Sequence, residues 1–88
     1  MAKYSLRIKK TARKELESIA TRVDRQRIIA RIKSLADDPR PPGAVKLSGR
    51  EWYRVRKGRY RILYLIEDTV LIVYVIKIGD RKDVYRAK

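Results

Sequence analysis

The chain has 88 residues, and 24 Lys and Arg against 10 Asp and Glu leave a net charge of 24 − 10 = +14. With 44% hydrophobic residues it is too apolar for a disordered basic tail, so a single small domain over residues 1–88, cationic outside, is expected. The absence of Cys and His excludes disulfides, a thiolate nucleophile, Ser-His-Asp chemistry and the usual zinc or iron–sulfur sites.

Tyr4, Leu6 and Ile8 alternate with Ser5 and Arg7, which predicts a short first strand. Thr11 is the expected N-cap of a first helix, in which Ala12, Leu16, Ile19, Ala20 and Val23 recur at helical spacing. Asp24 is the expected cap of a second helix, with Ile28, Ile29, Ile32, Leu35 and Ala36 as its apolar stripe. Asp37-Asp38-Pro39 and Pro41-Pro42-Gly43 end it and open a loop. The two helices are nearly contiguous and predict an αα-hairpin.

The second half reads as sheet. A short strand over Val45–Leu47 precedes Ser48-Gly49. Strands over Trp52–Arg56 and Arg59–Ile66 flank a Lys57-Gly58 turn. Glu67-Asp68 turns the chain into a long strand, Thr69–Ile78, ended by Gly79 and the tail Asp80–Lys88. The expected fold class is α+β: an antiparallel sheet of four to five strands, with an N-terminal helical hairpin on one face, in the order β-α-α-β-β-β-β. The longest apolar run, Val70–Ile76, is too short to span a bilayer, and the first residues carry no signal-peptide core. A soluble, cytoplasmic protein without a membrane partner is expected.

The hairpin at Lys57-Gly58 is the most informative segment. With a two-residue loop there, Arg56 pairs with Arg59, Arg54 with Arg61 and Trp52 with Leu63, while Val55 meets Tyr60 and Tyr53 meets Ile62. One face is then apolar, and the other gathers Arg54, Arg56, Arg59 and Arg61. Like charges opposite one another destabilise a sheet by up to ~1 kcal/mol per pair, so stability alone does not favour such a cluster. It reads either as a solvated basic face or as a platform whose planar guanidinium forks take phosphate or an acidic peptide. In the tail, Arg81 and Tyr85 lie four apart, within one helical turn. Tyr85 either stacks on an unpaired base or packs on the sheet edge. The acidic pairs at 37–38, 67–68 and 80/83 read as turn chemistry, and no metal site or cofactor is expected.

Tyr53-Arg54-Val55-Arg56-Lys57-Gly58-Arg59-Tyr60-Arg61-Ile62-Leu63-Tyr64, the long apolar strand, and Ile78-Gly79-Asp80-Arg81-Lys82-Asp83-Val84-Tyr85 together resemble the RelE/ParE family of toxin–antitoxin toxins. The resemblance extends over essentially the whole chain. The arginine hairpin is common to the superfamily, whereas the Gly-x-Arg…Val-Tyr tail is more similar to the RelE branch of ribosome-dependent mRNA interferases. That branch implies a toxin that cuts mRNA in the ribosomal A site: the ribose 2′-OH attacks the adjacent phosphate, leaving a 2′,3′-cyclic phosphate and a 5′-OH. By position it implies catalytic roles for Arg54, Arg56, Arg61, Arg81 and Tyr85, with Lys57, Arg59 and Lys82 as RNA-binding cations. Arg61 would stabilise the phosphorane-like transition state, Arg81 would sit near the leaving 5′-oxygen, and Tyr85 would orient a base or help proton transfer.

The positions of Arg54 and Arg56 are lysines in the best-known RelE enzymes. A lysine can act as a base once its pKa is lowered, whereas a guanidinium with a pKa above ~12 does not. The base implied here is then Tyr85, a ribosomal RNA group or water. The expected partners are the ribosome with its mRNA and a cognate acidic, RelB-like antitoxin. The alternatives are a ParE-like, non-catalytic inhibitor of DNA gyrase and an inactive basic nucleic-acid-binding relative.

Overall fold

The computed structural model describes residues 3–47 and 51–80. Ser48-Gly49 and the tail residues Arg81, Lys82 and Tyr85 lie outside the described residues. The first strand, β1, spans Ser5–Ile8 and is followed by helices α1, Lys10–Glu17, and α2, Arg22–Ser34. Four strands follow: β2 Val45–Lys46, β3 Trp52–Lys57, β4 Tyr60–Glu67 and β5 Ile72–Asp80. The α+β class and the element order are those expected from the sequence.

The helices begin earlier than their caps suggested. Lys9 occupies the N-cap of α1 without a side-chain cap bond, and Thr11 lies inside the first turn. Thr21 caps α2, its hydroxyl accepting from the Asp24 N–H at 3.2 Å. Asp24 therefore sits in the first turn, where a negative charge complements the helix dipole. Because α1 stops at Glu17, Ala20 and Val23 fall outside its buried stripe and are exposed. Ala12 and Leu16 in α1, Ile19 beyond it, and Ile28 and Ile32 in α2 do turn inward.

The five strands form one sheet in the order β1-β5-β4-β3-β2. Four strands make the expected antiparallel meander, while β1 joins its far edge parallel to β5, with Leu6 opposite Val73 and Ile8 opposite Val75. Period-two alternation identifies β1 as a strand but carries no information about which strand it meets. Tyr53, Val55, Ile62, Tyr64, Ile66, Val73, Val75 and Ile78 line the inner face and pack against the helices as one core. Among the described residues, no helix is long and apolar enough to cross a membrane.

Two irregularities set the outer face. Gly58 has φ +60° and is the first, not the second, central residue of the β3–β4 turn, so Lys57 meets Tyr60 and the loop is Gly58-Arg59. Glycine at the first central position belongs to a type II′ turn rather than I′. In β5, Leu63 meets Lys77 but Tyr64 meets Val75, so Ile76 is the extra residue of a β-bulge.

Candidate functional site

The turn geometry corrects the pairing read from the sequence. Arg56 lies opposite Arg61, Arg54 opposite Leu63 and Trp52 opposite Leu65, instead of Arg59, Arg61 and Leu63. On the inner face Val55 meets Ile62 and Tyr53 meets Tyr64, instead of Tyr60 and Ile62. The shift is two residues, so every side chain keeps its face. Tyr53 and Val55 are buried inside, and Arg54, Arg56 and Arg61 alternate with buried neighbours on the other face. Arg54 and Arg61 are half-buried and Arg56 is exposed. Among the described residues, Arg56 makes no ion pair. The arginine facing it across the strands, Arg61, lies opposite Gly79 on its other side. Three guanidinium-bearing side chains thus share one sheet face, and Gly79 adds no side chain to it.

Arg59 is placed differently from the other three. It sits in the turn, and its Nε donates to Asp80 Oδ2 at 2.7 Å, tying the turn to the end of β5. That contact raises the Arg59 pKa further. Lys57 is exposed at the same turn and lines a pocket of about 180 Å³ with Asp24, Arg27 and Tyr60.

A second arginine cluster, built around Arg40, escaped the sequence reading. Arg40 grips both oxygens of Asp68, Nη2 to Oδ2 at 2.9 Å and Nη1 to Oδ1 at 3.2 Å. It also donates to the Tyr53 hydroxyl at 3.0 Å and to Glu51 Oε1 at 3.2 Å, and lies over the Tyr53 ring, 5.2 Å from its centroid. Tyr4 donates to Asp68 at 2.6 Å, and Lys46 to Glu51 at 2.8 Å. The Arg40 and Tyr4 hydrogen bonds hold the Asp68 carboxyl down at about 2. Lys46 lowers the Glu51 pKa, and Glu51 raises that of Lys46. Beneath them Tyr53 stacks on Tyr64, whose buried hydroxyl donates to the Pro39 carbonyl at 2.7 Å. Burial pushes the Tyr64 pKa up to about 12. Arg40, Glu51, Tyr53 and Asp68 share no periodicity in the sequence, and an arginine between prolines gives no signal of such a role.

The described residues thus form a small α+β domain with a cationic sheet face backed by two helices, and comparison with known proteins gives its class. Residues 6–85 match the family described as ParE toxin of type II toxin-antitoxin system, parDE. Toxin RelG of Mycobacterium tuberculosis is 29% identical over 86 residues, spanning 94% of this chain and 97% of that protein. A protein of Escherichia coli described as RelE-like is 30% identical over 88 residues, spanning 94% of this chain and 90% of that one. Among solved structures, the toxin–antitoxin complex RelBE2 of M. tuberculosis gives a TM-score of 0.79 at 25% identity, covering 92% of this chain and 94% of that chain. Free E. coli RelE carrying two arginine-to-alanine changes gives 0.78 at 25% identity, covering 98% and 93%. The chain belongs to the RelE/ParE superfamily of type II toxin–antitoxin toxins, and its named relatives are of the RelE kind.

Proposed function

We propose that this toxin is a ribosome-dependent, metal-independent endoribonuclease that cuts mRNA in the A site. The observation that carries the reading is the grouping of Arg54, Arg56 and Arg61 on one face of β3 and β4. Such a face neutralises a phosphodiester and favours the extra negative charge of a pentacoordinate transition state. The ribose 2′-OH attacks the phosphorus, the bond to the 5′-oxygen breaks, and the products are a 2′,3′-cyclic phosphate and a 5′-OH. Arg61 stabilises the transition state, while Arg54 and Arg56 neutralise the phosphate and orient the hydroxyl. Arg81 stabilises the charge on the leaving 5′-oxygen, which takes its proton from water, and Tyr85 orients a base. The 2′-OH proton goes to Tyr85, a ribosomal RNA group or water, since guanidinium groups do not accept it. With the ribosome supplying the alignment, an all-arginine site has less chemistry of its own to perform.

The same proposal includes a cognate acidic, RelB-like antitoxin. It is supported by the +14 charge, which steers an acidic chain, and by the presence of toxin–antitoxin complexes among the structural neighbours. A cytoplasmic location follows from the ribosomal target. The match to the ParE family favours one second reading, a non-catalytic inhibitor of DNA gyrase. The deciding experiment is primer extension on a reporter mRNA in a translating extract, with and without purified protein. New 5′ ends within codons, dependent on translation, are expected. An intact message overturns the nuclease, and inhibition of supercoiling then establishes the gyrase reading.

A further inference from the structure

The bulge in β5 decides what stands beside Arg61. Running back from Tyr64–Val75 without an extra residue, the ladder would pair Leu63 with Ile76, Ile62 with Lys77 and Arg61 with Ile78. Lys77 would then face the core, and an isoleucine would crowd the arginine. With Ile76 as the extra residue, Ile62 meets Ile78 inside, where Ile78 is 1% exposed, and Arg61 meets Gly79.

The residue that holds this arrangement comes from α1. β1 pairs with β5 only as far as Ile8 and Val75, and the Lys9 N–H closes that ladder on the Val75 carbonyl at 2.8 Å. Beyond it, the Glu15 carboxylate takes over. Oε1 accepts the Ile78 N–H at 3.0 Å, and Oε2 pairs with the Lys77 ammonium. Both side chains are mostly covered, at 28% and 24% exposure, so the contact is not a loose surface pair. One carboxylate satisfies two consecutive residues just after the bulge. Glu15, Lys77, Ile78 and Gly79 line, with Arg59 and Asp80, a groove of about 400 Å³.

We propose that Glu15 is a positioning residue: by gripping Lys77 and the Ile78 N–H it fixes the β5 bulge that places Gly79, rather than Ile78, beside Arg61. The inference rests on the proposed role of Arg61 only for its catalytic consequence. Bulges next to active sites commonly re-aim a side chain in this way. The carboxylate touches no reacting atom, and its effect passes through the register of β5.

The test combines amide exchange, NMR contacts and single-turnover cleavage on programmed ribosomes. Glu15→Ala is expected to speed Ile78 amide exchange by about tenfold or more, because a covered donor loses its acceptor. The NOE between Arg61 and Gly79 should weaken, and the cleavage rate should fall about tenfold at little-changed half-saturation, as expected when a remote change misplaces a catalytic group. Glu15→Gln keeps a carbonyl acceptor for Ile78 and should restore the NOE and most of the rate, whereas a side chain needed only for its charge would give no rescue. If Glu15→Ala does not fold, Glu15→Leu, which keeps the side chain's bulk and removes both oxygens, takes its place in the comparison with Glu15→Gln. Native Ile78 protection and an intact Arg61–Gly79 NOE in a folded Glu15→Ala variant overturn the proposal. A wild type that fails to cleave overturns the nuclease reading instead, while the exchange and NOE data still decide the register.

Discussion

The two arginine clusters of this protein use the same side chain in opposite ways. Arg40 is held by two carboxylates and a phenol, and its guanidinium lies over the Tyr53 ring. It binds the loop after α2 to β3 and to the β4–β5 turn. Arg54, Arg56 and Arg61 instead share a sheet face on which Arg56 and Arg61 stand opposite one another. The first arrangement satisfies a charge within the fold. The second accumulates like charge at a cost of up to ~1 kcal/mol per opposed pair, which the proposed phosphate contact would offset. The difference separates arginines that build the protein from arginines proposed to act on another molecule.

Substitution at Arg61 gives the largest expected contrast. Arg61→Ala is expected to lower cleavage in a translating extract by about 10²–10³, the usual loss for one transition-state donor. The variant should still fold, because Arg61 stands on the outer face of β4 and outside the buried core. A large fall in both activity and melting temperature would place Arg61 with Arg40 among the structural arginines.

Tyr64→Phe tests the layer beneath Arg40. The phenol is buried and donates to the Pro39 carbonyl, so its loss strands a buried acceptor and is expected to cost about 1–2 kcal/mol. For a domain of this size that is a melting shift of roughly 4–8 °C per kcal/mol, with cleavage retained in the folded protein. Arg40→Ala should be milder, about 1 kcal/mol, because its side chain is 40% exposed and solvent screens its ion pairs. It too should leave cleavage intact. A thermal melt beside a cleavage assay checks both variants.

Salt dependence sharpens the comparison further. Each phosphate contact on a single strand contributes a log–log slope of about −0.7, so Arg56→Ala should flatten RNA binding by about that amount while Arg40→Ala leaves the slope unchanged. Equal slopes in all three proteins would remove Arg56 from the proposed interface.

The arginine face was legible in the sequence because burial alternates with a period of two, and a two-residue error in register leaves faces unchanged. The register itself was not legible. Whether Gly58 stands first or second in its turn depends on backbone angles that the dipeptide Lys57-Gly58 does not specify. Arg59 moved from strand to turn as a result, and its contact with Asp80 became visible only with the β5 end in place. The parallel seat of β1, the bulge at Ile76 and the Arg40 cluster all depend on partners distant in the chain. Local pattern carries no trace of them.

The finest test of the Arg40 cluster is its response to acid. Arg40 and Tyr4 hold Asp68 at about 2, below the ordinary aspartate value of about 3.9 in an unfolded chain. Between those two values the unfolded state binds more protons than the folded one, so stability rises with pH. The contribution of Asp68 is therefore fully present above about pH 5 and is lost as the pH falls toward 2. Asp68→Asn abolishes the titration at that site. The difference in melting temperature between wild type and Asp68→Asn should be largest near neutral pH and shrink steadily as the solution is acidified through that window. A difference that stays constant with pH would mean that Arg40 draws its stabilisation from Tyr53 and Glu51 rather than from Asp68. Arg56, which makes no ion pair among the described residues, supplies the control: the melting difference between wild type and Arg56→Ala should show no comparable acid transition.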